Sequence, residues 1–256
     1  YKELAEKLSI ENLWVIPVSA LGGDNVVEKS ITMNWYQGET LLSVLETVDV
    51  HKGTTHTGAR FPVQYVLRPQ STELHDYRGY AGRLLSGTLK KGEKITVLPS
   101  GQTSTIAKIE IYGEESERLI ASQSGTLLLT DDIDISRGDL IVGENNQPQS
   151  SQDITSLVCW MDDHKELKPG NKYLLQHGTA RVRCSVKEID YRIDINTYVK
   201  EDQVDALKLN DVAKVRIRTA QPIAFDPYAV NRANGGAILI DETSNVTVGA
   251  CMLEEA

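Results

Sequence analysis

The chain contains 256 residues, of which 40% are hydrophobic and 25% are charged, with 19 glycines and 8 prolines. These values are ordinary for a globular protein and exclude a disordered or collagen-like chain, and no run of about 18 apolar residues predicts a membrane span. The net charge is -9, and 8 acidic but only 3 basic side chains lie in the first 50 residues, so a broad basic surface for nucleic acid is not expected.

Only the first fifth of the chain has a helical pattern. Apolar residues recur at helical spacing in residues 1–8 and again in residues 41–48. Between them, residues 13–18 form an apolar run typical of a buried parallel strand. Alternation of helices and strands along the chain is typical of an α/β sheet, but one strand cannot make a sheet. We therefore predict that residues 1–52 are the C-terminal remnant of an α/β domain, and that a chain beginning without methionine is a piece of a longer protein.

A polar segment rich in glycine and threonine, residues 51–58, predicts a linker, and after it the apolar period changes to two. Short strands separated by Gly, Asp and Ser turns at this spacing are typical of a β-sandwich or β-barrel. In this first β unit the pattern predicts strands at residues 61–67, 95–97, 106–111, 127–129 and 140–142.

A second polar segment, residues 144–152, predicts another linker, and a second β unit follows it. Its apolar alternation changes phase by one residue near Lys187 and Glu188, which predicts a β-bulge there. The predicted fold class is mainly β, with two tandem β units, either sandwiches or barrels, at residues 57–147 and 153–256 preceded by the short α/β remnant. Strands are predicted in this unit at residues 182–186, 189–195, 215–217 and 246–252.

Three short matches to nucleotide-binding motifs are incomplete. Residues 87–94 have the GxxxxG spacing of a phosphate loop, but Glu93 stands where the motif requires lysine, and a carboxylate repels phosphate. A hairpin with glycines at its turns is the favoured interpretation. Residues 76–79 match DxxG without a preceding phosphate loop, and residues 171–174 begin like NKxD but lack the Asp that reads guanine.

Metal sites and nucleophiles are not predicted either. The acidic run at residues 130–134 lacks the twelve-residue calcium loop, and a solvated turn in which Asp134 accepts backbone N–H groups is favoured. Cys159, Cys184 and Cys251 show no spacing of a zinc site or a disulfide framework, which fits a reducing cytoplasm. Surface or turn positions rather than metal sites are favoured for the five histidines, which lack HExxH and HxH spacing: His51, His56, His75, His164 and His177.

The loop that follows the predicted strand is more informative, because α/β sheets place ligand contacts at the carboxyl ends of parallel strands. This loop, Ser19, Ala20 and Leu21, resembles the guanine-contacting SAL loop of GTPases related to elongation factor Tu. Further segments, in the right order, resemble the large subunits of bacterial sulfate adenylyltransferase, a translation-factor-like GTPase family. The resemblance runs from residue 13 to residue 250 and rests on residues 35–38, 78–82, 130–139 and 244–250.

The resemblance implies a parent with one GTPase domain followed by two β-barrels that dock and couple subunits. It would bind GTP and magnesium and pair with a small catalytic subunit that joins ATP and sulfate into adenosine 5′-phosphosulfate, a reaction that GTP hydrolysis helps to drive. Only Ser19, Ala20 and Leu21 carry over as nucleotide contacts, with the Ala20 N–H approaching the guanine carbonyl oxygen. The phosphate-contacting motifs belong before residue 1, so this chain alone is expected to hold no cofactor, contain no catalytic residue and hydrolyse no GTP.

Two other interpretations stay open at this point. A tRNA-binding elongation-factor fragment would share the two barrels, although the acidic balance of residues 51–256 weighs against it. A stand-alone β-barrel binding module leaves the strand and SAL loop unexplained. The expected partners exclude membranes and nucleic acid. Because residues 13–18 would have open edges, we expect them to pack on a barrel, to pair with another copy of the chain, or to be mobile.

Overall fold

Strands are the predominant secondary structure of the computed structural model, which describes residues 5–6, 10, 13–48, 58–69 and 77–255. The chain divides into two units, Tyr1–Lys52 and Gly53–Ala256. The described helices are α1 (Leu41–Thr47) and α2 (Arg232–Gly235). The strands are β1 (Arg60–Leu67), β2 (Gly79–Arg83), β3 (Thr88–Lys90), β4 (Lys94–Leu98), β5 (Gln102–Ile111), β6 (Glu114–Ser116), β7 (Arg118–Ile120), β8 (Ser124–Leu129), β9 (Leu140–Gly143), β10 (Gln149–Trp160), β11 (Lys172–His177), β12 (Ala180–Ile193), β13 (Lys200–Glu201), β14 (Val212–Phe225), β15 (Gly236–Ile240) and β16 (Thr247–Glu255).

The first barrel, barrel 1, is built from strands β1 to β9. The strand order is β4-β9-β1-β2-β8-β5, and β5 pairs back with β4, so the antiparallel sheet closes on itself and leaves no open edge in the ring. Strand β6 joins β5 through a two-residue turn at Tyr112 and Gly113. Both residues have positive φ, 54° and 86°, as the type I′ turn that matches strand twist requires.

The second barrel, barrel 2, is built from strands β10 to β16 in the order β11-β15-β16-β10-β14-β12, closed by pairing of β11 with β12. Its long strands β10 and β14 alternate buried side chains with half-buried or exposed ones, as the two-residue period predicts. The pairing of β12 with β14 shifts register between Val186 and Glu188. The β-bulge predicted from the phase change is therefore confirmed.

Each barrel encloses its own apolar core, and a small cluster joins the two. Phe61 belongs to the first core and Trp160 to the second, and both side chains are fully buried. Leu140 of barrel 1 packs with Ala224 of barrel 2 in the joining cluster. The mainly β fold class with two barrels is confirmed, and its cause is the period-two burial of apolar side chains on the inner face of each closed sheet.

Two predicted connections differ from the structure. Strand β10 begins inside residues 144–152, the segment that composition predicts to be a linker, because Gln149 and Ser150 pair with the end of β14. The glycines of residues 87–94 do form turns, with φ of 72° at Gly87 and 80° at Gly92. The flanking strands β3 and β4 do not form a hairpin together, since β3 pairs with β7 while β4 pairs with β5 and β9.

The unit Tyr1–Lys52 contains helix α1 where it is predicted, with the Thr40 hydroxyl accepting the Ser43 N–H as an N-cap. Of the first predicted helix only residues 5 and 6 are described, and they are helical; Tyr1, Leu4 and Leu8, and the linker at residues 51–57, lie outside the described residues.

The buried strand expected at residues 13–18 is not formed. These residues form no strand, and Trp14 and Val15 are 54% and 61% exposed. A β-strand needs a neighbouring strand to pair its backbone groups, and the described part of this unit offers none beyond a single bridge between Ser19 and Asp24. The domain boundaries at residues 52, 57, 147 and 153 stay predictions.

Candidate functional site

The SAL loop forms a tight turn directly after residues 13–18. The Ser19 hydroxyl accepts the Gly22 N–H at 3.1 Å, and the Ser19 carbonyl accepts the Gly23 N–H at 2.8 Å. Gly23 has φ of 76°, a conformation that glycine adopts without strain. The turn leaves Ala20 and Leu21 exposed to solvent. Ser19 therefore shapes the loop, and Ala20 and Leu21 are the residues it presents.

A buried asparagine that the sequence analysis did not single out holds this loop against helix α1. The Asn25 side chain donates to the Pro17 carbonyl at 2.9 Å and accepts the Ser30 N–H at 2.9 Å. Its own carbonyl accepts the Leu41 N–H at the start of α1. Asn25 has φ of 55°, a left-handed conformation for which asparagine is enriched. The turn-forming sequence Gly-Gly-Asp-Asn, which ends at Asn25, is the signal from which this role could have been predicted.

The incomplete motifs have structural roles in the described residues. Glu93 accepts the Lys90 N–H at 2.9 Å and closes the turn between β3 and β4. Asn171 accepts the Lys168 N–H at 2.8 Å and shapes the turn before β11. Asp76 of the DxxG match lies outside the described residues, as do His51, His56 and His75. Within the described residues no group of three or more His, Cys, Asp or Glu side chains is placed to hold a metal ion.

Two of the segments that carry the resemblance meet in a groove of about 720 Å³ on barrel 1. The Tyr80 hydroxyl donates to the Ile133 carbonyl at 3.1 Å, and the Arg78 guanidinium lies over the Tyr80 ring and pairs with Asp132. Asp139, not Asp134, accepts a backbone N–H in this loop, from Ser136 at 2.8 Å. The prediction for Asp134 is wrong because that carboxylate instead lies 3.5 Å from the Arg78 guanidinium.

A buried polar cluster links barrel 1 to barrel 2. Arg60 is 1% exposed, and its Nε and Nη2 atoms contact the two carboxylate oxygens of Asp226 at 2.9 and 2.8 Å. Asp226 Oδ2 also accepts the side-chain amides of Asn231 and Asn234 at 3.1 and 2.9 Å. Asn231 donates in addition to the Ser86 hydroxyl at 3.1 Å. Both charges are thus paired and hydrogen-bonded, which buried ions require. We call these five residues the Arg60 cluster.

The hairpin between β11 and β12 supplies the second contact between the barrels. A Cβ atom built on Gly138 of barrel 1 would lie 3.3 Å from the Ala180 Cα atom of barrel 2, and Gly138 has φ of 102°. A Cβ atom on Gly178, at the hairpin tip, would lie 3.8 Å from Pro62. Glycine at position 138 therefore allows the two backbones to approach closely. The hairpin tip and the Arg60 cluster together form what we call the seam.

A buried histidine stands at the seam and gives it a predicted pH response. His177 Nε2 lies 2.9 Å from the Asn234 carbonyl, which can only accept, so Nε2 carries the proton. Burial lowers the pKa of His177, against the opposing effects of this hydrogen bond and of the Asp226 charge. The folded chain thus keeps His177 neutral at a pH where the unfolded chain protonates it.

We expect this histidine to destabilise the fold as the pH falls. At pH values above about 6.5, the pKa of histidine in the unfolded chain, His177 has no such effect because it is neutral in both states. Below that pH the unfolded state binds one more proton than the folded state, so the free energy of unfolding falls by up to about 1.4 kcal/mol per pH unit. Urea denaturation between about pH 7.5 and 5 should show a smaller loss for His177→Gln than for the unmodified chain. His164→Gln, at an exposed position, is the control and should leave the loss unchanged. Identical curves for the unmodified chain and His177→Gln would contradict this.

Comparisons with known proteins bear on both units. A family model described as GTP-eEF1A C-terminal domain-like matches residues 153–254. Sulfate adenylyltransferase subunit 1 of Aeromonas salmonicida is 44% identical over 100% of this chain and 53% of that protein. The bifunctional enzyme CysN/CysC of Mycobacterium tuberculosis is 41% identical over 99% of this chain and 41% of that protein. The chain thus spans about half the length, or less, of these curated relatives, and the resemblance to the sulfate adenylyltransferase family is confirmed.

Solved structures show the fold. Sup35 complexed with GMPPNP superposes with a TM-score of 0.73 at 19% identity, covering 93% of this chain and 57% of that chain. Sup35 complexed with GDP gives a TM-score of 0.72 at 20% identity, covering 100% of this chain and 64% of that chain. At this identity the likeness concerns the fold alone. In the described part of the chain no helix is long and apolar enough to cross a membrane.

Proposed function

We propose that this chain, homologous over its full length to sulfate adenylyltransferase subunit 1, is part of a GTP-hydrolysing large subunit that supports the formation of adenosine 5′-phosphosulfate from ATP and sulfate. The identity of 40–44% along the entire chain is the observation that carries this proposal. The complete subunit would bind GTP and magnesium and work in the cytoplasm. A small catalytic subunit would be its partner and would perform the adenylyl transfer.

The barrels would act as the coupling and docking module of that subunit. The Arg60 cluster and the hairpin tip tie barrel 1 to barrel 2, so a displacement imposed on one barrel is transmitted to the other instead of being absorbed between them. Such coupling requires an element that moves as a unit. This property supports a role in which the nucleotide state of the GTPase domain changes how both barrels contact the catalytic subunit.

Within the same proposal, Ser19, Ala20 and Leu21 contact the guanine base. The Ser19 hydroxyl and carbonyl hold the turn, and the Ala20 N–H donates to no acceptor among the described residues. An N–H group held in a fixed turn can donate to the carbonyl oxygen of guanine, which adenine lacks. This chain would contact only the guanine base of GTP, since no phosphate loop is present in this sequence. The rest of the nucleotide and the magnesium ion would be held mainly by the rest of the subunit.

The test uses the full-length subunit together with its catalytic partner. Ala20→Pro removes the N–H and should weaken GTP binding by about tenfold, the value of one hydrogen bond of about 1.4 kcal/mol. Ala20→Gly keeps the N–H and is the matched control. GTP affinity and GTP-dependent formation of adenosine 5′-phosphosulfate are both measured, with circular dichroism to confirm folding.

The two readouts separate the proposals. If the unmodified complex forms no adenosine 5′-phosphosulfate, or forms it at a rate indifferent to GTP, the proposed function is wrong. If it does so and Ala20→Pro binds GTP as well as Ala20→Gly does, the function stands and the assignment of the guanine loop is wrong.

A further inference from the structure

A cavity of about 170 Å³ lies at the seam, lined by residues of both barrels. Pockets that take drug-sized ligands have volumes of about 300–1,000 Å³, so this cavity is too small for a nucleotide. A water molecule occupies about 30 Å³ in the liquid, so the space suits a few waters or one small ion. Interfaces between domains are also common places for ligand sites.

Two arginines line this cavity, one from each barrel. Arg137 of barrel 1 donates through Nη1 to the Gln64 carbonyl at 2.7 Å, and Arg181 of barrel 2 donates through Nε to Gln176 at 2.7 Å. Neither forms an ion pair with a carboxylate in the part of the chain that the structure describes. Each guanidinium has five N–H groups in a planar fork, so most of the donors of both arginines stay available.

The remaining titratable groups leave the cavity positive. Asp139 is the acidic residue in its lining; one oxygen of that carboxylate is occupied by the Ser136 N–H, and burial raises its pKa. His177 is neutral. Two guanidinium charges against at most one carboxylate favour an anion as the occupant.

A third residue that lines the cavity has a hydroxyl group that lacks a hydrogen-bond partner. The Thr179 hydroxyl oxygen is buried and forms no hydrogen bond with any described residue. Buried hydroxyl groups are rarely left without a partner. Thr179 follows Gly178 in the tight turn of the hairpin tip, which fixes its backbone next to barrel 1.

We propose that this cavity binds a small oxyanion of the sulfate or phosphate type, held by Arg137, Arg181 and the Thr179 hydroxyl. Oxyanions accept paired hydrogen bonds from guanidinium forks and further bonds from hydroxyl donors. Because one arginine belongs to each barrel, the bound anion joins the barrels at a point separate from the Arg60–Asp226 pair. This site goes beyond the proposed function and does not depend on it.

The experiment titrates the isotope-labelled 256-residue chain with sodium sulfate, sodium phosphate and sodium chloride at constant ionic strength, following amide chemical shifts. We expect sulfate, phosphate or both to produce saturable shifts at Gly138, Gly178 and Thr179. Arg137→Met and Arg181→Met should each weaken binding by about tenfold or more, as expected for losing a charge-assisted hydrogen bond. Thr179→Val keeps the shape of the side chain and should weaken binding to a smaller degree.

The matched control is Arg83→Met. Arg83 is also exposed, also donates to a backbone carbonyl (Ser122, at 3.1 Å), forms no ion pair with a described residue and does not line the cavity. It should bind as the unmodified chain does. Shifts that rise linearly without saturating, that chloride reproduces, or that are equal in Arg181→Met and Arg83→Met would overturn the proposal. If Arg137→Met alters the whole spectrum, the exposed Arg181 decides the test.

Discussion

Replacing Arg60 with alanine is expected to lower the free energy of unfolding by about 3–5 kcal/mol, the cost of removing one partner from a buried ion pair. The Asp226 carboxylate would stay buried with its charge, keeping the amides of Asn231 and Asn234 but losing the guanidinium that balances it. The measurement is urea denaturation of the 256-residue chain, followed by circular dichroism. Because the pair spans the seam, the loss should include weaker packing of the two barrels.

The matched control is Arg218→Ala, which removes an arginine from an ion pair with Asp153. Those side chains are 48% and 66% exposed, so the expected loss is about 0–1 kcal/mol. The double variant Arg60→Met with Asp226→Leu leaves no buried charge and should regain part of the loss, but not all, since Asn231 and Asn234 lose their acceptor. An Arg60→Ala variant no less stable than Arg218→Ala would contradict the assigned role of the Arg60 cluster.

Replacing Trp160 with alanine is expected to cost about 3–5 kcal/mol, the usual range for truncating a buried tryptophan. Its side chain is fully buried in the core of barrel 2, where its ring meets the Tyr173 ring edge-on at 5.5 Å. The indole N–H donates to the Lys165 carbonyl at 2.8 Å. The substitution would leave a large cavity and an unpaired carbonyl, and urea denaturation measures the combined loss.

The exposed residue Trp35 supplies the control. Trp35 is 73% exposed, so Trp35→Ala should change the free energy of unfolding by no more than about 0.5 kcal/mol. Trp160→Phe keeps an aromatic ring but cannot donate to Lys165, and it should fall between Trp35→Ala and Trp160→Ala. Equal losses for Trp35→Ala and Trp160→Ala would show that the core of barrel 2 does not depend on this side chain.

The sequence predicts the barrels well because inner and outer faces of a strand alternate residue by residue. That period places β1 and β14, and its change of phase places the bulge at Lys187. The same reasoning fails at residues 13–18, where an apolar run indicates burial but the strand also needs neighbours to pair with. The local pattern of apolar residues therefore predicts the conformation of a segment within a sheet, but not whether the neighbouring strands of that sheet are present.

The contacts of the seam are beyond sequence reasoning for a different reason. Arg60 and Asp226 are 166 positions apart, and no local pattern links an arginine at the start of one barrel to an aspartate at the end of a strand in the other. The acidic turn shows the same limit on a smaller scale, since the sequence analysis assigns the acceptor role to Asp134, whereas in the fold Asp139 accepts the Ser136 N–H. The SAL loop could be proposed from the sequence because it is a contiguous motif, and its role as a guanine contact stays a prediction.

The close approach of Gly138 to Ala180 has a consequence for how such proteins diversify. A side chain added at position 138 would press on the backbone of the other barrel, so a change there is tolerated only if position 180 or the hairpin moves with it. The two barrels are therefore not exchangeable modules. In a chimera that takes one barrel from a distant relative, positions 138 and 180 would come from different proteins and would not be matched to each other. Its barrels would settle at a new mutual angle unless both barrels were transplanted together.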